Sequence, residues 1–431
     1  MIFSKSLICS FAFFSLLLCF ATANGDSNDV RHYISYNAEI FDDEKYSSYS
    51  SPIDPDNVFG IYSGVYDAAQ YYLDFKWKSD PFSIQACDIG FTTIVTNFPV
   101  TNYLSEIYAS YNLMDFYLDL GKKKVSQSMS FLVTPMDFAM RSYNDVSRDK
   151  SFDTMFSEGK YMANLDWYTD IGQFGFCYIP EIIFSSNLTA YFSSSQNQEE
   201  ELRYNNTISG IDFAFALNYD TNLSAGTGLS TTIGDFIEAH AEGVWISSTY
   251  RYILTTNDLT DTYSPLLGIA PQQLSNIFKI VLGGSYNGDP ISIMLEYYYN
   301  SSGFNYSQWN DILNAMKDFR SAYDSNPEGI FSPANLGTLA QFFGANYYLD
   351  YGQNFVMIRL SPSRTIAKFS LTSTTLMNLD DLSGVQIFNL TYCGWEHLLV
   401  SGTFSFDFGS PFSGFMLFAA TTYELEFHYI L

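Results

Sequence analysis

Alternation with a period of two runs through most of the chain. Tyr71, Leu73, Phe75 and Trp77 interleave with Tyr72, Asp74, Lys76 and Lys78. Tyr161, Ala163, Leu165 and Trp167 interleave with Lys160, Met162, Asn164, Asp166 and Tyr168. Ile211, Phe213, Phe215, Leu217 and Tyr219 alternate with Asp212, Ala214, Ala216 and Asn218, and Ile291, Ile293, Leu295, Tyr297 and Tyr299 with Ser292, Met294, Glu296, Tyr298 and Asn300. Such segments predict strands. They are longer than the usual ~5 to 6 residues and match the roughly 9 to 11 that cross a bilayer at a tilt. Aromatics stand near their ends, as with Tyr71 and Trp77, Tyr161 and Trp167, and Tyr297 and Tyr299, where amphipathic rings would meet lipid headgroups. A soluble β-sandwich alternates in the same way, but usually with shorter strands and more Pro and Gly turns.

The last nine residues sharpen the choice. Tyr423, Leu425, Phe427, Tyr429 and Leu431 form one face, and Glu424, Glu426, His428 and Ile430 the other. A soluble sheet ending this way presents a sticky free edge, whereas the last strand of a closed barrel pairs with the first. Between the strands, Asn287-Gly288-Asp289-Pro290 reads as a tight turn, and the stretch 196–206, with Glu199, Glu200 and Glu201, as a solvated loop. Trp309, Ile312, Leu313, Met316 and Phe319 recur at helical spacing within Ser307 to Ser325, which predicts a short amphipathic helix in an extracellular loop, with folding into the pore open to it. A second helical turn is expected over 333–344. No linker or fixed-period repeat divides the chain. The fold class expected is all-β: a transmembrane antiparallel up-and-down β-barrel of about 16 strands, within 14 to 18, with one or two short helices in loops. A barrel of this size encloses an aqueous channel, whereas eight strands would be filled by side chains.

Composition and charge narrow the classes. The 431 residues include 46 acids and 20 Lys or Arg, a net charge of −26, yet charged residues make up 15% and aromatics 18%. Disordered chains are poor in aromatics, and nucleic-acid binding needs a basic surface. Residues 1–23 read as a cleaved secretory signal: Lys5, the apolar run Leu7 to Phe20, then Ala21-Thr22-Ala23. The run is shorter than the ~18 to 20 residues of a membrane anchor, and Leu16-Leu17-Leu18 before Cys19 does not fit a lipidation site. Cleavage removes Lys5 and no acid, so −26 becomes −27 for the single barrel domain 24–431. Cys87, Cys177 and Cys393 remain, too sparse for a disulfide framework though one pair could form. No CxxC or Cys/His cluster suggests zinc, and no cofactor is expected.

Candidate chemistry is thin. Glu238, His240 and Glu242 share one strand face and could bind a divalent ion or move protons, but a polar lumen wall with Ala239 and Ala241 towards lipid is the simpler reading. No Gly-x-Ser-x-Gly elbow, Walker or Rossmann glycine pattern occurs, so an enzyme is not expected. The alternation assigns Asp74, Lys76, Asp212, Glu238, His240, Glu242, Glu296, Arg359, Glu424 and Glu426 to the pore lining. Leu73, Phe75, Phe213, Phe215, Ile293 and Leu295 are assigned to lipid. The acids favour cations weakly, tempered by Lys76, Lys78, Lys160, Lys279 and Arg359 at comparable positions.

Two stretches carry a resemblance. The terminal strand, Tyr423, Leu425, Phe427, Tyr429 and Leu431, resembles the C-terminal assembly strand of bacterial outer-membrane β-barrels, although that family favours a terminal Phe. Leu120-Gly121-Lys122-Lys123-Lys124-Val125-Ser126, followed by Thr134-Pro135-Met136-Asp137-Phe138, is similar to a segment of porin-like outer-membrane proteins in which Leu-Gly-Lys and a basic residue precede Asn-Pro-x-Asp. Here Thr134 replaces the Asn, and the Trp-Gly often found between is absent. The resemblance implies a porin-like channel of the bacterial outer membrane, passing small solutes by passive diffusion. The partners expected are outer-membrane lipid, the barrel-assembly machinery and periplasmic chaperones, and small solutes; homo-oligomers stay open, and no nucleic acid is expected. The alternatives are a soluble secreted β-rich binding protein, or an outer-membrane barrel serving as adhesin or enzyme.

Overall fold

The computed structural model describes residues 33–49, 65–93, 101–138, 140–141, 158–182, 196–256, 267–312, 314, 352–362, 368–395, 398–410, 413, 415 and 420–430. The expected signal at 1–23, the helical turn at 333–344 and Leu431 lie outside them. The strands are β1 (Tyr33–Tyr49), β2 (Val65–Ser79), β3 (Phe82–Thr93), β4 (Thr101–Leu113), β5 (Phe116–Lys123) and the two-residue β6 (Met140–Arg141). Then come β7 (Glu158–Thr169), β8 (Gly172–Ile179), β9 (Glu199–Ile208), β10 (Ile211–Tyr219), β11 (Leu223–Ile233), β12 (Ile237–Thr256) and β13 (Leu267–Asn287). The last are β14 (Ile291–Asn300), β15 (Asn354–Pro362), β16 (Phe369–Asn378), β17 (Ser383–Tyr392), β18 (Leu398–Phe408) and β19 (Ala420–Ile430).

All of these except β6 form one antiparallel ring of eighteen strands, at the upper end of the expected range. Each strand pairs with its neighbour in sequence, β5 passing over β6 to β7. β19 pairs with β18 on one side and with β1 on the other, with Tyr46 opposite Tyr423 and Glu39 opposite Ile430. The ring therefore has no free edge. At one end the strands are joined by tight turns such as 114–115, 170–171, 209–210 and 288–290; at the other the chain between β8 and β9 and between β14 and β15 is longer, while β10 and β11 are joined by the short turn 220–222. At Ser209 and Gly210 both φ angles are positive, 54° and 81°, the geometry that matches a two-residue hairpin to the twist of its strands.

The apolar faces point outward. On β10, Ile211, Phe215 and Tyr219 are exposed while Ala214, Ala216 and Asn218 are buried; on β14, Ile291, Ile293 and Leu295 are exposed while Glu296, Tyr298 and Asn300 are buried. Leu165, Phe176 and Leu202 stand side by side in one outward row across β7, β8 and β9. Beside the tight turns runs a belt of rings, Phe116–Trp167–Phe174–Tyr204–Phe213, with centroids 5.6, 5.8, 5.0 and 6.2 Å apart. An apolar outer band edged with aromatics is what a membrane barrel presents to lipid. Among the described residues no helix is long and apolar enough to cross a membrane.

Some expectations need correction. Phe75, expected to face outward, is 1% exposed; its row neighbour Ala86 is buried too, so this part of the sheet is covered on both faces. Most of the expected loop at 196–206 is strand β9, because Glu201 and Arg203 turn into a polar interior while Leu202 faces out. A polar interior erases the contrast that marks a strand in an ordinary core. Of the helix expected over Ser307 to Ser325, the described residues 306–312 and 314 are helical, and the rest of that span lies outside the described residues; Trp309 is buried and donates through Nε1 to Asp381 at 3.0 Å. Tyr423 and Leu425 of the closing strand face outward as expected.

The two faces predict different tolerances. Arg at Phe215 or Leu295 should destabilise the barrel by about 2–4 kcal/mol near mid-bilayer, read as loss of the folded, heat-modifiable band in SDS. Arg at Asp212, on the opposite face, should leave that band intact. Deleting Tyr429 to Leu431 should abolish assembly into outer membranes, because β1 then loses pairing at its closing seam; a heat-modifiable truncated protein in the membrane fraction would contradict this.

Candidate functional site: the lumen and its infolded segment

After β5 the chain does not leave the barrel. Residues 124–138 have no helix or strand of their own and run across the inner wall towards β16. Lys124 N donates to Glu106 at 2.9 Å, and burial, the largest influence, pushes the Lys124 ammonium below its ordinary pKa. Asp137 folds the segment on itself by accepting from Ser126 Oγ at 3.0 Å, Gln127 N at 2.5 Å and Ser128 N at 2.9 Å. Met136 packs with Ala214, Ala216 and Val244. Gly226 and Gly228 leave its room: a Cβ on either would stand 3.0 Å from Met136 Cγ or 3.3 Å from its Sδ. Leu132 and Val133 join Val281, Tyr298, Phe355, Met357 and Leu376 in a buried cluster.

Two wall carboxylates meet the segment. Glu242 accepts from Ser128 Oγ, Met129 N and Ser130 N, and Glu296 from Phe131 N and Leu132 N. His240 Nε2 lies 2.8 Å from Glu296 Oε1, so His240 reaches two strands away to β14. Three of the expected residues, His240, Glu242 and Glu296, are thus brought together at one place. Asp74, Lys76, Asp212, Glu238 and Arg359 stand at register positions on the same face of their strands. Asp74 shares a row with Glu106, and Lys76 follows on its face. Asp212 is two residues from Ala214, Glu238 two from His240, and Arg359 two from Met357. Glu424 and Glu426 stand opposite Thr403 and Ser401 in the register, and their side chains lie outside the described ones.

The wall on the β4–β9 side is charged and largely paired, although Glu201 Oε2 accepts no hydrogen bond and Arg203 Nε donates none. Ser110 Oγ donates to Asp119 at 2.5 Å, Lys123 pairs with Asp119, and Asn164 Nδ2 bridges Asp119 at 3.2 Å and Asp166 at 2.8 Å. Arg203 bonds Asn164 and lies 3.3 Å from Asp166; Lys160 reaches Glu199 at 2.6 Å and donates to Phe138 O at 2.9 Å. Burying such groups is tolerable only because they are paired. On β17 and β18 the lining is uncharged in its middle: Asn389 Nδ2 donates to Ser401 Oγ at 3.0 Å and Thr403 Oγ1 at 2.8 Å, and Thr391 Oγ1 to Asn389 Oδ1 at 2.9 Å.

A glycine makes room for a polar side-chain pair at two places. Asp166, Gly175 and Arg203 form one row across β7, β8 and β9, and His240, Gly283 and Glu296 one row across β12, β13 and β14. Sequence reasoning missed both, since each depends on three strands being in register. It also missed the path of 124–138, although the resemblance noted at 120–126 and 134–138 brackets the segment.

No family model matches the chain, and no curated protein does. Among solved structures it is similar to Pseudomonas aeruginosa OccK8 (OprE), with 8% identity, 92% of this chain and 98% of that one covered and a TM-score of 0.55. It is also similar to P. aeruginosa OccK5 (OpdH), with 8% identity, the same coverage and a TM-score of 0.53. A triple mutant of Rhodopseudomonas blastica porin aligns over 93% of this chain and all of its own, at 10% identity and a TM-score of 0.44. The fold is a closed antiparallel β-barrel like that of OccK8 and OccK5.

The glycine-spanned pair can be tested for its hold on the barrel. A Cβ at Gly175 would stand 2.7 Å from Arg203 Nε and 2.9 Å from Asp166 Oδ1. Gly175→Ala should lower stability by about 1–3 kcal/mol, the scale of a charge-assisted bond, measured as a shift in urea unfolding in lipid vesicles. Gly243→Ala, where a Cβ meets nothing within 4 Å, should cost little.

Proposed function

We propose that the protein is a porin-like channel of a bacterial outer membrane, through which small polar solutes diffuse passively. The observation that carries this reading is the closed ring of eighteen strands with apolar residues outside and polar ones inside, crossed by the infolded segment 124–138. A ring of this size leaves an aqueous interior, and the segment narrows it. Solutes pass between the segment and the uncovered wall. In this proposal the protein acts as a channel and not as an enzyme. The tight turns then face the periplasm and the long connections the outside, with insertion relying on periplasmic chaperones and the barrel-assembly machinery.

The pore prefers cations weakly. The chain carries −26, and Asp80, Asp212 and Asp289 are exposed near the tight-turn mouth. An acidic mouth raises local cation concentration. Along the wall, however, Asp119, Asp166 and Glu199 are held by Lys123, Arg203 and Lys160, so little unbalanced charge faces a solute there. Salt also screens exposed groups within ~8 Å at physiological strength.

In a planar bilayer with a KCl gradient, the purified protein should give stepwise conductance and a small reversal potential of cation-selective sign that shrinks as salt rises. An anion-selective sign would overturn the charge argument; absence of conductance would overturn the pore.

A further inference from the structure

One part of the inner wall carries neither charge nor a large apolar side chain. On β16, Ser370 and Thr372 alternate with Phe369 and Leu371, and on β17, Asn389 and Thr391 alternate with Phe388 and Leu390; the four apolar residues are exposed on the outer side. The register carries the inner face across three strands. Thr372 and Thr403 flank Asn389, and Ser370 and Ser401 flank Thr391. All six are hydroxyl or amide residues. The infolded segment packs further along these strands, in the cluster that holds Leu376 and touches Val385. Asn389, Thr391 and Ser401 stay partly exposed.

The bonds among these residues fix what they offer to a solute. Asn389 Nδ2 donates to Ser401 Oγ at 3.0 Å and to Thr403 Oγ1 at 2.8 Å, and its Oδ1 accepts from Thr391 Oγ1 at 2.9 Å and from Ser401 Oγ at 3.2 Å. An amide has two donors and two acceptor sites, so Asn389 is fully engaged and positions the three hydroxyls around it. Thr391 and Ser401 give their protons to Asn389 and keep lone pairs. Thr403 accepts from it, and among the described residues its own O–H has no acceptor. An uncharged donor beside acceptors matches an alcohol group, which donates and accepts at once. The same patch gives a carboxylate no cation to meet. On the charged side of the wall, Asp119, Asp166 and Glu199 are already engaged by Lys123, Arg203 and Lys160. Next in the register on β19 stand Glu424 and Glu426, and carboxylates accept strongly from alcohols.

We propose that this patch is a weak binding track for neutral polyhydroxylated solutes, sugars and sugar alcohols, with Thr391, Ser401 and Thr403 touching the solute and Asn389 holding them in place. The proposal rests on the channel reading and names its solute class. Hydrogen bonds made in contact with water contribute little net, so each stay is brief. Brief stays suit a conduit, where a solute must bind well enough to enter and weakly enough to leave.

The test uses the full-length protein in planar bilayers and, separately, in amine-oxide micelles, which carry no sugar headgroup. Raffinose, a neutral trisaccharide, is compared with a methyl-capped polyethylene glycol of equal hydrodynamic radius, which has ether oxygens and no alcohol group. Raffinose should lower the KCl conductance along a saturating curve, and the polymer in plain proportion to its concentration. Raffinose that follows the polymer would overturn the proposal. Thr391→Val, Thr403→Val and Asn389→Leu, each first checked for a heat-modifiable folded band, should raise the half-saturating raffinose concentration about three- to tenfold, with the block by the polymer as in the wild type. Thr221→Val, in the turn 220–222, should leave both as they are. Folded variants that bind raffinose as the wild type does would sink the assignment to these residues. Protonated glucosamine should bind no better than glucose; a clear preference for it would assign recognition to the neighbouring acids instead and overturn the hydroxyl track. Saturation-transfer NMR of raffinose with the wild type in micelles reads binding without conduction or substitution, and absence of transfer would overturn the site even if every variant misfolds. A wild type that folds but conducts nothing refutes the channel reading, while the micelle measurement still decides whether the site exists.

Discussion

In the hydrocarbon of a bilayer no water is at hand for an unpaired peptide group, so a sheet that crosses it must close upon itself. The pairing of β19 with β1 meets that demand, and much of the rest of the molecule follows from it. Closure of an antiparallel ring fixes an even number of strands and divides every strand into a face for lipid and a face for the interior. It also creates the interior that residues 124–138 occupy. The usual distribution of residues is reversed: Leu165, Phe176 and Leu202 lie outside, and Asn164, Glu201 and Arg203 inside.

That reversal explains what could be read from the chain and what could not. Strands such as β10 and β14 announced themselves, because Phe213, Phe215, Ile293 and Leu295 stand against small or polar neighbours. β9 did not, because Glu199, Glu200 and Glu201 look like a solvated loop unless the polar interior is already known. The strand total was legible to within two, since hairpin length constrains it. Within the candidate site, the sequence put His240, Glu242 and Glu296 on inward faces but had no means of joining them: His240 and Glu296 are 56 positions apart and meet across an intervening strand. The segment that binds to Glu242 and Glu296 leaves β5 more than a hundred positions before either, and its own composition, Ser, Gln, Met and Phe, shows no period at all. Phe75 was misread because alternation tells which residues share a face but not whether something covers that face.

The interior also clarifies the large net charge. Acids on the inner wall are engaged in holding protein to protein: Asp119 and Asp166 within the wall, Asp137 within the segment, Glu242 and Glu296 between the two. Carboxyl groups are suited to this because each offers two oxygens that can accept several bonds at once. Charge counted from composition therefore overstates the field a solute meets, and the hydroxyl and amide lining at Asn389, Thr391, Ser401 and Thr403 adds none.

Gly175 and Gly283 bear on a different problem, that of choosing the right alignment while the barrel is being built. A strand that slips by one position turns its greasy side inward and is rejected by solvent and lipid alike. A slip by two positions keeps every face correct, and alternation is blind to it. At these two rows it is not. Sliding β8 by two would put Gln173 or Cys177 between Asp166 and Arg203, and sliding β13 by two would put Val281 or Ser285 between His240 and Glu296. Each misalignment would force two hydrogen-bonded polar groups apart in a crowded space, so the pair of glycines works as a checksum on strand alignment, sensitive to the one class of error that the greasy-and-polar code lets through.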